Sequence, residues 1–250
     1  VRVLLLGGTG EARALAAALH PEVEVISSLA GRVPDPALPV GQVRIGGFGG
    51  VAGLTGWLRE HRIAAVVDAT HPFAATITAH AAAACAETGL PHLVLARPAW
   101  PAGRAIVVGS DTEAAKTVSA HGFSRIFLTT GRSGAAAFRD VDAWFLIRAV
   151  TAPDPGTLPV NHQLLLSRGP YEYGAELALL RQYQIDALVT KNSGGAMTEA
   201  KIKAAEAADV PIVMVDRPAL PPGIRTVSTV ASAVAWLSGL SSVAHAPHEG

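Results

Sequence analysis

Cysteine is almost missing from this sequence: the single Cys85 in 250 residues excludes a disulfide within the chain. It stands in an alanine-rich run, residues 80–86, and reads as a small buried filler on a helix face rather than a nucleophile. Charge is scarce too, at 16% of residues, and Lys+Arg balance Asp+Glu at 20 each. With no net positive field, the chain is not expected to bind nucleic acid. No apolar run reaches membrane-spanning length, and the N-terminal run at residues 3–6 is far shorter than the core of a secretory leader. The expectation is a cytoplasmic protein with no membrane partner. Also absent are G-x-x-x-x-G-K-[ST], G-x-S-x-G, H-E-x-x-H and C-x-x-C. These absences argue against nucleotide hydrolysis, an elbow-serine hydrolase and a zinc site, and no metal is expected.

Hydrophobic residues are plentiful, at 50%, and fall into short runs alternating with helical patterns. That alternation is the mark of parallel strands covered by helices on both faces, an α/β protein. Strands are expected at residues 3–6, 23–26, 65–67, 92–95, 106–108, 126–129, 144–148, 163–167, 187–190 and 212–215. Helices are expected at 11–19, 51–61, 74–88, 112–121, 174–182, 197–208 and 230–238, where apolar residues recur every three or four positions.

Two Pro-rich stretches interrupt the pattern. Residues 97–103 read as a domain linker, and 151–159 as an exposed loop able to move over a site. The tail from Ser241, with His245 and His248, reads as a frayed terminus. The halves also resemble each other. Residues 70–72 and 90–99 align without a gap on 190–192 and 210–219, an offset of 120, and residues 4–9 align on 126–131 at an offset of 122. The expectation is two Rossmann-like parallel-sheet domains, 1–98 and 99–250, with the active site in the cleft between them.

The chemistry-bearing residues sit at expected strand ends. Gly7-Gly8-Thr9-Gly10-Glu11 joins the first strand to a helix, the order in which backbone N–H groups meet a phosphate. The spacing departs from G-x-G-x-x-G, because the third glycine falls on Arg13. The second strand ends in Ser27-Ser28-Leu29-Ala30-Gly31-Arg32 with no acid to accept a ribose hydroxyl. Ser28 and Arg32, with the backbone at Ala30 and Gly31, therefore read as a nest for a 2′-phosphate. Asp68-Ala69-Thr70-His71-Pro72-Phe73 follows another strand, with Thr70 or His71 placed to cap the next helix and Pro72 near its first position. His71 is the candidate proton carrier there, whereas mid-helix His80 reads as structural. In the second half, Thr129-Thr130-Gly131-Arg132 and Thr190-Lys191-Asn192-Ser193-Gly194-Gly195 each combine hydroxyls, glycines and a cation at a helix start. With Arg148 and Arg168 nearby, four cations are expected along one edge, which suits a carboxylate- or phosphate-bearing substrate.

Residues 6–11, 68–73, 128–132 and 190–195, in this order and spacing, resemble the precorrin-6A reductase family of cobalamin biosynthesis over nearly the whole chain. The resemblance implies an NADPH-dependent oxidoreductase that reduces one double bond of the polycarboxylate precorrin-6A macrocycle to give precorrin-6B. It implies hydride transfer to a ring carbon conjugated to an imine-like nitrogen, with protonation of the neighbouring carbon. On this reading Gly8, Thr9, Gly10, Glu11, Ser28, Ala30, Gly31 and Arg32 hold NADPH, and Thr70, His71 and Pro72 border the nicotinamide. Thr130, Gly131, Arg132, Lys191, Asn192 and Ser193 face the tetrapyrrole. His71 and Lys191 are the candidate catalytic residues, and the proton donor stays open among His71, Lys191, Tyr171 and a water. A monomer suffices if the two halves complete the site. The alternatives are another NADPH-dependent reductase of a small anionic substrate on the same fold, and a non-catalytic NADPH-binding module.

Overall fold

The computed structural model describes residues 1–31 and 37–243, with side chains up to 240. Two compact units emerge, one built from Val1–Arg97 together with the returning segment that starts at Ala219, the other from Pro98–Pro218. The expected domains, 1–98 and 99–250, therefore need a correction. The chain leaves the first unit after Arg97, builds the second, and comes back.

Unit 1 contains β1 (Arg2–Leu6), α1 (Gly10–Leu19), β2 (Glu24–Leu29), β3 (Gln42–Ile45), α2 (Gly50–Glu60), β4 (Ala65–Asp68), α3 (Ala75–Thr88) and β5 (His92–Leu95). Unit 2 contains β6 (Ile106–Val108), α4 (Asp111–Ala120), β7 (Arg125–Leu128), β8 (Trp144–Ala149), β9 (His162–Leu166), α5 (Tyr173–Gln182), β10 (Ala187–Lys191), α6 (Ala200–Ala207) and β11 (Ile212–Val215). The chain then returns to unit 1 with β12 (Arg225–Val227) and α7 (Val230–Val243). The sheet orders are β12-β5-β4-β1-β2-β3 and β6-β11-β10-β7-β8-β9, with parallel pairing throughout.

The internal repeat is visible in these orders, because β1 to β5 and β7 to β11 occupy matching places in their sheets. The sixth strand of each repeat is exchanged. β6 follows the first repeat yet pairs with β11, and β12 follows the second yet pairs with β5. Helix α7 goes with β12, packing Ala233 and Leu237 among Leu15, Leu19 and Leu93. That exchange explains why a boundary drawn through one linker was incomplete.

The central strands form because they are apolar on both faces. In β1, Val3 and Leu5 enter the layer with α1 and α7, whereas Leu4 and Leu6 pack with Leu54 and Leu58 of α2 and Ala81 and Cys85 of α3. Cys85 is buried as expected, and burial pushes its thiol up to about 12. In unit 2, Phe127, Leu146, Leu188 and Met214 pack with Leu180, Ile202 and Trp100. Both Pro-rich stretches bury some of their residues. Trp100 is buried, with its backbone N–H donating to Asn192 Oδ1 at 2.9 Å and its indole N–H to the Gly195 carbonyl at 3.2 Å. In the 151–159 stretch, Ala152, Asp154, Pro155 and Gly156 are exposed as expected, whereas Pro153, Leu158 and Pro159 are buried, and Asp154 Oδ1 accepts the Gly156 N–H at 3.0 Å.

Candidate active site

Parallel strands of one unit deliver their following loops to one edge of the sheet, so the loops after β1, β2 and β4 of unit 1 lie together. After β1, Gly8 takes φ +108 with nothing within 4 Å of the place a Cβ would occupy. A ligand can approach this backbone closely, and a side chain there would be strained. Thr9 caps α1, its hydroxyl oxygen accepting from Ala12 N at 3.1 Å while its hydrogen goes to the Ala69 carbonyl at 2.7 Å. Thr9 thus ties the first loop to the third, and its side chain has no donor left for a ligand. Gly7, Gly8, Arg13, Ser27 and Leu29 line a small recess of about 10 Å³. The bulky residue at the third glycine position therefore borders this recess. Glu11, expected at the cofactor, forms an ion pair with Arg97 at 2.8 Å.

The loop after β4 is built on Asp68, which is buried and accepts Thr70 N at 2.9 Å, Thr70 Oγ1 at 2.6 Å and Thr78 Oγ1 at 2.6 Å. These bonds correct the expected cap. Thr70 is drawn back onto Asp68, and α3 starts at Ala75 after Ala74, which offers no side-chain cap. Pro72 accordingly lies in the preceding turn rather than at the first helical position. His71 is exposed, and its Nδ1 accepts the Phe73 N–H at 3.2 Å, which leaves Nε2 to carry the ring hydrogen. His92 is half-buried near Asp68, and its buried Nε2 atom has no partner; desolvation lowers its pKa and the Asp68 charge partly opposes this.

At the end of β2, Ser28 is buried and stands in register with Arg44 of β3. The Arg44 guanidinium donates from Nη1 to Ser28 Oγ at 2.8 Å and to the Gly46 carbonyl at 2.9 Å, and from Nη2 to the Gly47 carbonyl at 3.0 Å. It stacks 3.8 Å from the Phe48 ring centroid, and burial lowers its pKa. Sequence reasoning missed Arg44 because its strand is short and lies at the sheet edge. The alternation Gln42-Val43-Arg44-Ile45 between Gly41 and Gly46 was the available signal. Ala30 and Gly31 are exposed beside this pair, whereas Arg32 lies outside the described residues.

In unit 2, Lys191 ends β10 and pairs with Asp111 of α4 at 3.2 Å, while the buried Thr130 Oγ1 and Asp111 Oδ1 have no hydrogen-bond partner. Arg132 and Arg168 are exposed, and Gly131 takes φ +78. Asn192, expected to face substrate, is buried and uses both ends of its amide on the Trp100 backbone, donating to the carbonyl at 3.2 Å. Ser193 follows in the same loop, and its carbonyl accepts Arg217 Nη2 at 3.1 Å. Gly194 permits the turn, since a Cβ there would collide with the Pro98 carbonyl.

Arg148 is the larger correction. Rather than joining an edge of cations, it is buried in a two-pronged pair with Glu176 at 2.9 and 2.6 Å, its guanidinium 4.0 Å from the Tyr171 ring centroid. Beside them Lys201 is buried under the Trp100 ring, and desolvation, then Arg148, lower its pKa to about 7 against the opposing pull of Glu176. Of the four cations expected along one edge, Arg132, Arg168 and the Asp111-bound Lys191 thus remain. Sequence spacing gave no sign that Glu176, 28 positions away, would claim Arg148.

Known proteins resemble this chain in sequence and in fold. The family model described as Precorrin-6x reductase CbiJ/CobK matches residues 2–238. A precorrin-6A reductase of Mycobacterium tuberculosis is 67% identical over 241 residues, covering 96% of this chain and 99% of that protein. One from Rhodococcus erythropolis is 54% identical over 246 residues, covering 96% and 98%. A cobalt-precorrin-6A reductase of Priestia megaterium is 30% identical over 235 residues, covering 86% and 90%. A solved structure titled CobK precorrin-6A reductase superposes with a TM-score of 0.87 at 36% identity, covering 96% of this chain and 97% of that one. The chain belongs to the precorrin-6x reductase family.

Proposed function

We propose that this chain reduces one double bond of the precorrin-6A macrocycle with NADPH, giving precorrin-6B in cobalamin biosynthesis. The observation that carries the reading is the 67% identity to a curated precorrin-6A reductase across 96% of the chain. The cobalt-free substrate is favoured because the relatives named for it are 67% and 54% identical, against 30% for the cobalt-precorrin enzyme of Priestia megaterium. Among the described residues no helix is long and apolar enough to cross a membrane. We place the reaction in the cytoplasm, carried out by a single chain.

The residues of unit 1 fit a dinucleotide. The open backbone at Gly8, the amides at the start of α1 and the donors at Ser28 suit phosphate groups, and no carboxylate stands at the end of β2. Gly8, Thr9 and Gly10 would hold the diphosphate, with Thr9 and Glu11 acting through the loop contacts above. Thr70, His71 and Pro72 would border the nicotinamide. When bound, NADPH supplies the hydride. In unit 2, Arg132, Lys191 and Ser193 with the Thr130-Gly131 backbone would bind the substrate carboxylates, a role for which exposed guanidinium groups are suited. Asn192 instead fixes the loop that carries Lys191. A proton must reach the carbon beside the reduced one, and the His71 Nε2–H and the Lys191 ammonium are the candidate sources.

An anaerobic assay of purified chain with precorrin-6A and NADPH tests the reading. Loss of nicotinamide absorbance with formation of precorrin-6B in equal amount is expected. NADPH binding without turnover would place the chain among non-catalytic modules, and turnover only with a different anionic acceptor would place it among other reductases.

A further inference from the structure

Among the described residues Arg44 is a cation without a counter-charge, facing a hydroxyl whose hydrogen is uncommitted. Among the described residues no carboxylate lies within ion-pair distance of it. Of its five N–H donors three are used, on Ser28 Oγ and on the Gly46 and Gly47 carbonyls. Ser28 Oγ accepts from Arg44, so its own hydrogen remains available to a ligand. The two residues are register partners at the carboxyl ends of β2 and β3. In a dinucleotide fold, the end of the second strand is where the ribose 2′ position is read.

We propose that Arg44 and Ser28 together bind the 2′-phosphate of the adenosine ribose, and that Arg44 is the residue that sets the preference for NADPH over NADH. This rests on the NADPH reading above and deepens it. Arg44 presents donors only and carries a full positive charge, and Ser28 adds a hydroxyl hydrogen, which together suit a phosphate dianion, an acceptor on every side, better than an uncharged ribose diol. The arginine is held ready. The carbonyls of Gly46 and Gly47 and the Phe48 ring fix its plane before any ligand arrives, so little side-chain freedom is lost on binding. The Gly46 N–H in turn donates to the Leu29 carbonyl at 2.8 Å, which ties the β3 end to the β2 end.

Direct binding, with no turnover, provides the test. Fluorescence titration would compare NADPH with NADH, and competition would compare 2′-AMP with 5′-AMP and inorganic phosphate, on the parent, Arg44→Met, Ser28→Ala and Ser28→Asp. Loss of a charged hydrogen bond corresponds to about 10- to 100-fold in affinity. Arg44→Met is therefore expected to weaken NADPH and 2′-AMP by that factor while leaving NADH and 5′-AMP within about twofold. Ser28→Ala should weaken NADPH less, and Ser28→Asp, which sets a carboxylate against Arg44, should reverse the coenzyme preference. Equal loss of both coenzymes in Arg44→Met would make Arg44 a support of the loop and overturn the proposal. If Arg44→Met does not fold, an unchanged preference in Ser28→Asp overturns it alone. Displacement by inorganic phosphate as effectively as by 2′-AMP would also overturn it. A parent that binds NADPH and NADH equally removes the NADPH reading itself, whereas a parent preference that survives both substitutions removes only this assignment.

Discussion

Removing the Asp68 side chain tests the architecture of unit 1 at its most connected point. Asp68→Ala leaves Thr70 N, Thr70 Oγ1 and Thr78 Oγ1 without their acceptor in a site where Asp68 is 1% exposed. Each stranded buried donor costs about 1–3 kcal/mol, although the two hydroxyls can turn toward other acceptors, so a net loss of about 3–6 kcal/mol is expected. Against a domain stability of about 5–15 kcal/mol this is severe. Asp68→Asn keeps an oxygen for Thr70 and requires only that Thr78 reverse its hydroxyl, so about 1–2 kcal/mol is expected. Urea unfolding gives the stability, and native-state hydrogen exchange across residues 65–82 shows whether the loop opens locally first. The same loop carries His71, so Asp68→Asn should also weaken NADPH binding while leaving the tetrapyrrole affinity of unit 2 unchanged. An Asp68→Ala protein within about 1 kcal/mol of the parent would refute the claim that this carboxylate holds the loop.

Lys201→Met removes a buried ammonium beside the intact Arg148–Glu176 pair at nearly constant volume. The folded pKa of about 7 lies below the unfolded 10.5, so the unfolded chain binds the extra proton between these values and parent stability rises with pH across that window. Lys201→Met should therefore be the more stable below pH about 7 and lose that advantage toward pH about 10, as urea midpoints at several pH values will show; a constant difference contradicts the burial account. Lys191→Ala should weaken tetrapyrrole binding, read by absorbance titration, by about 10-fold or more and leave NADPH affinity unchanged. Equal affinity for the tetrapyrrole would remove Lys191 from the substrate site.

The α/β class, the seven helices and the central strands of both sheets were legible because β1, β4, β7 and β10 are apolar on both faces and stand between helices of clear period. The edges were not. β3 and β12 are four and three residues long, half exposed and rich in polar side chains, and nothing local marks Arg225-Thr226-Val227 as a strand of the other half's sheet. The site was legible to the level of its loops and only partly to the level of side chains. Turn glycines and strand ends are local features, so the Gly8, Thr70 and Lys191 loops could be found by pattern. Which hydrogen bonds each side chain makes is set at long range: Asn192 closes on Trp100, Arg148 on Glu176, and Lys191 on Asp111, across 92, 28 and 80 positions. Thr70 shows the same limit at short range, since a cap and an aspartate two residues earlier compete for one hydroxyl, and the buried carboxylate wins.

The most direct test of the account is the fate of the transferred hydrogen. NADPH deuterated at the nicotinamide carbon that donates hydride would be turned over with precorrin-6A under anaerobic conditions, and the product analysed by mass spectrometry. The account predicts precorrin-6B carrying one deuterium from the coenzyme, with its second new hydrogen drawn from solvent. A reduced product free of coenzyme deuterium, or deuterated coenzyme left unconsumed beside unchanged substrate, would contradict it.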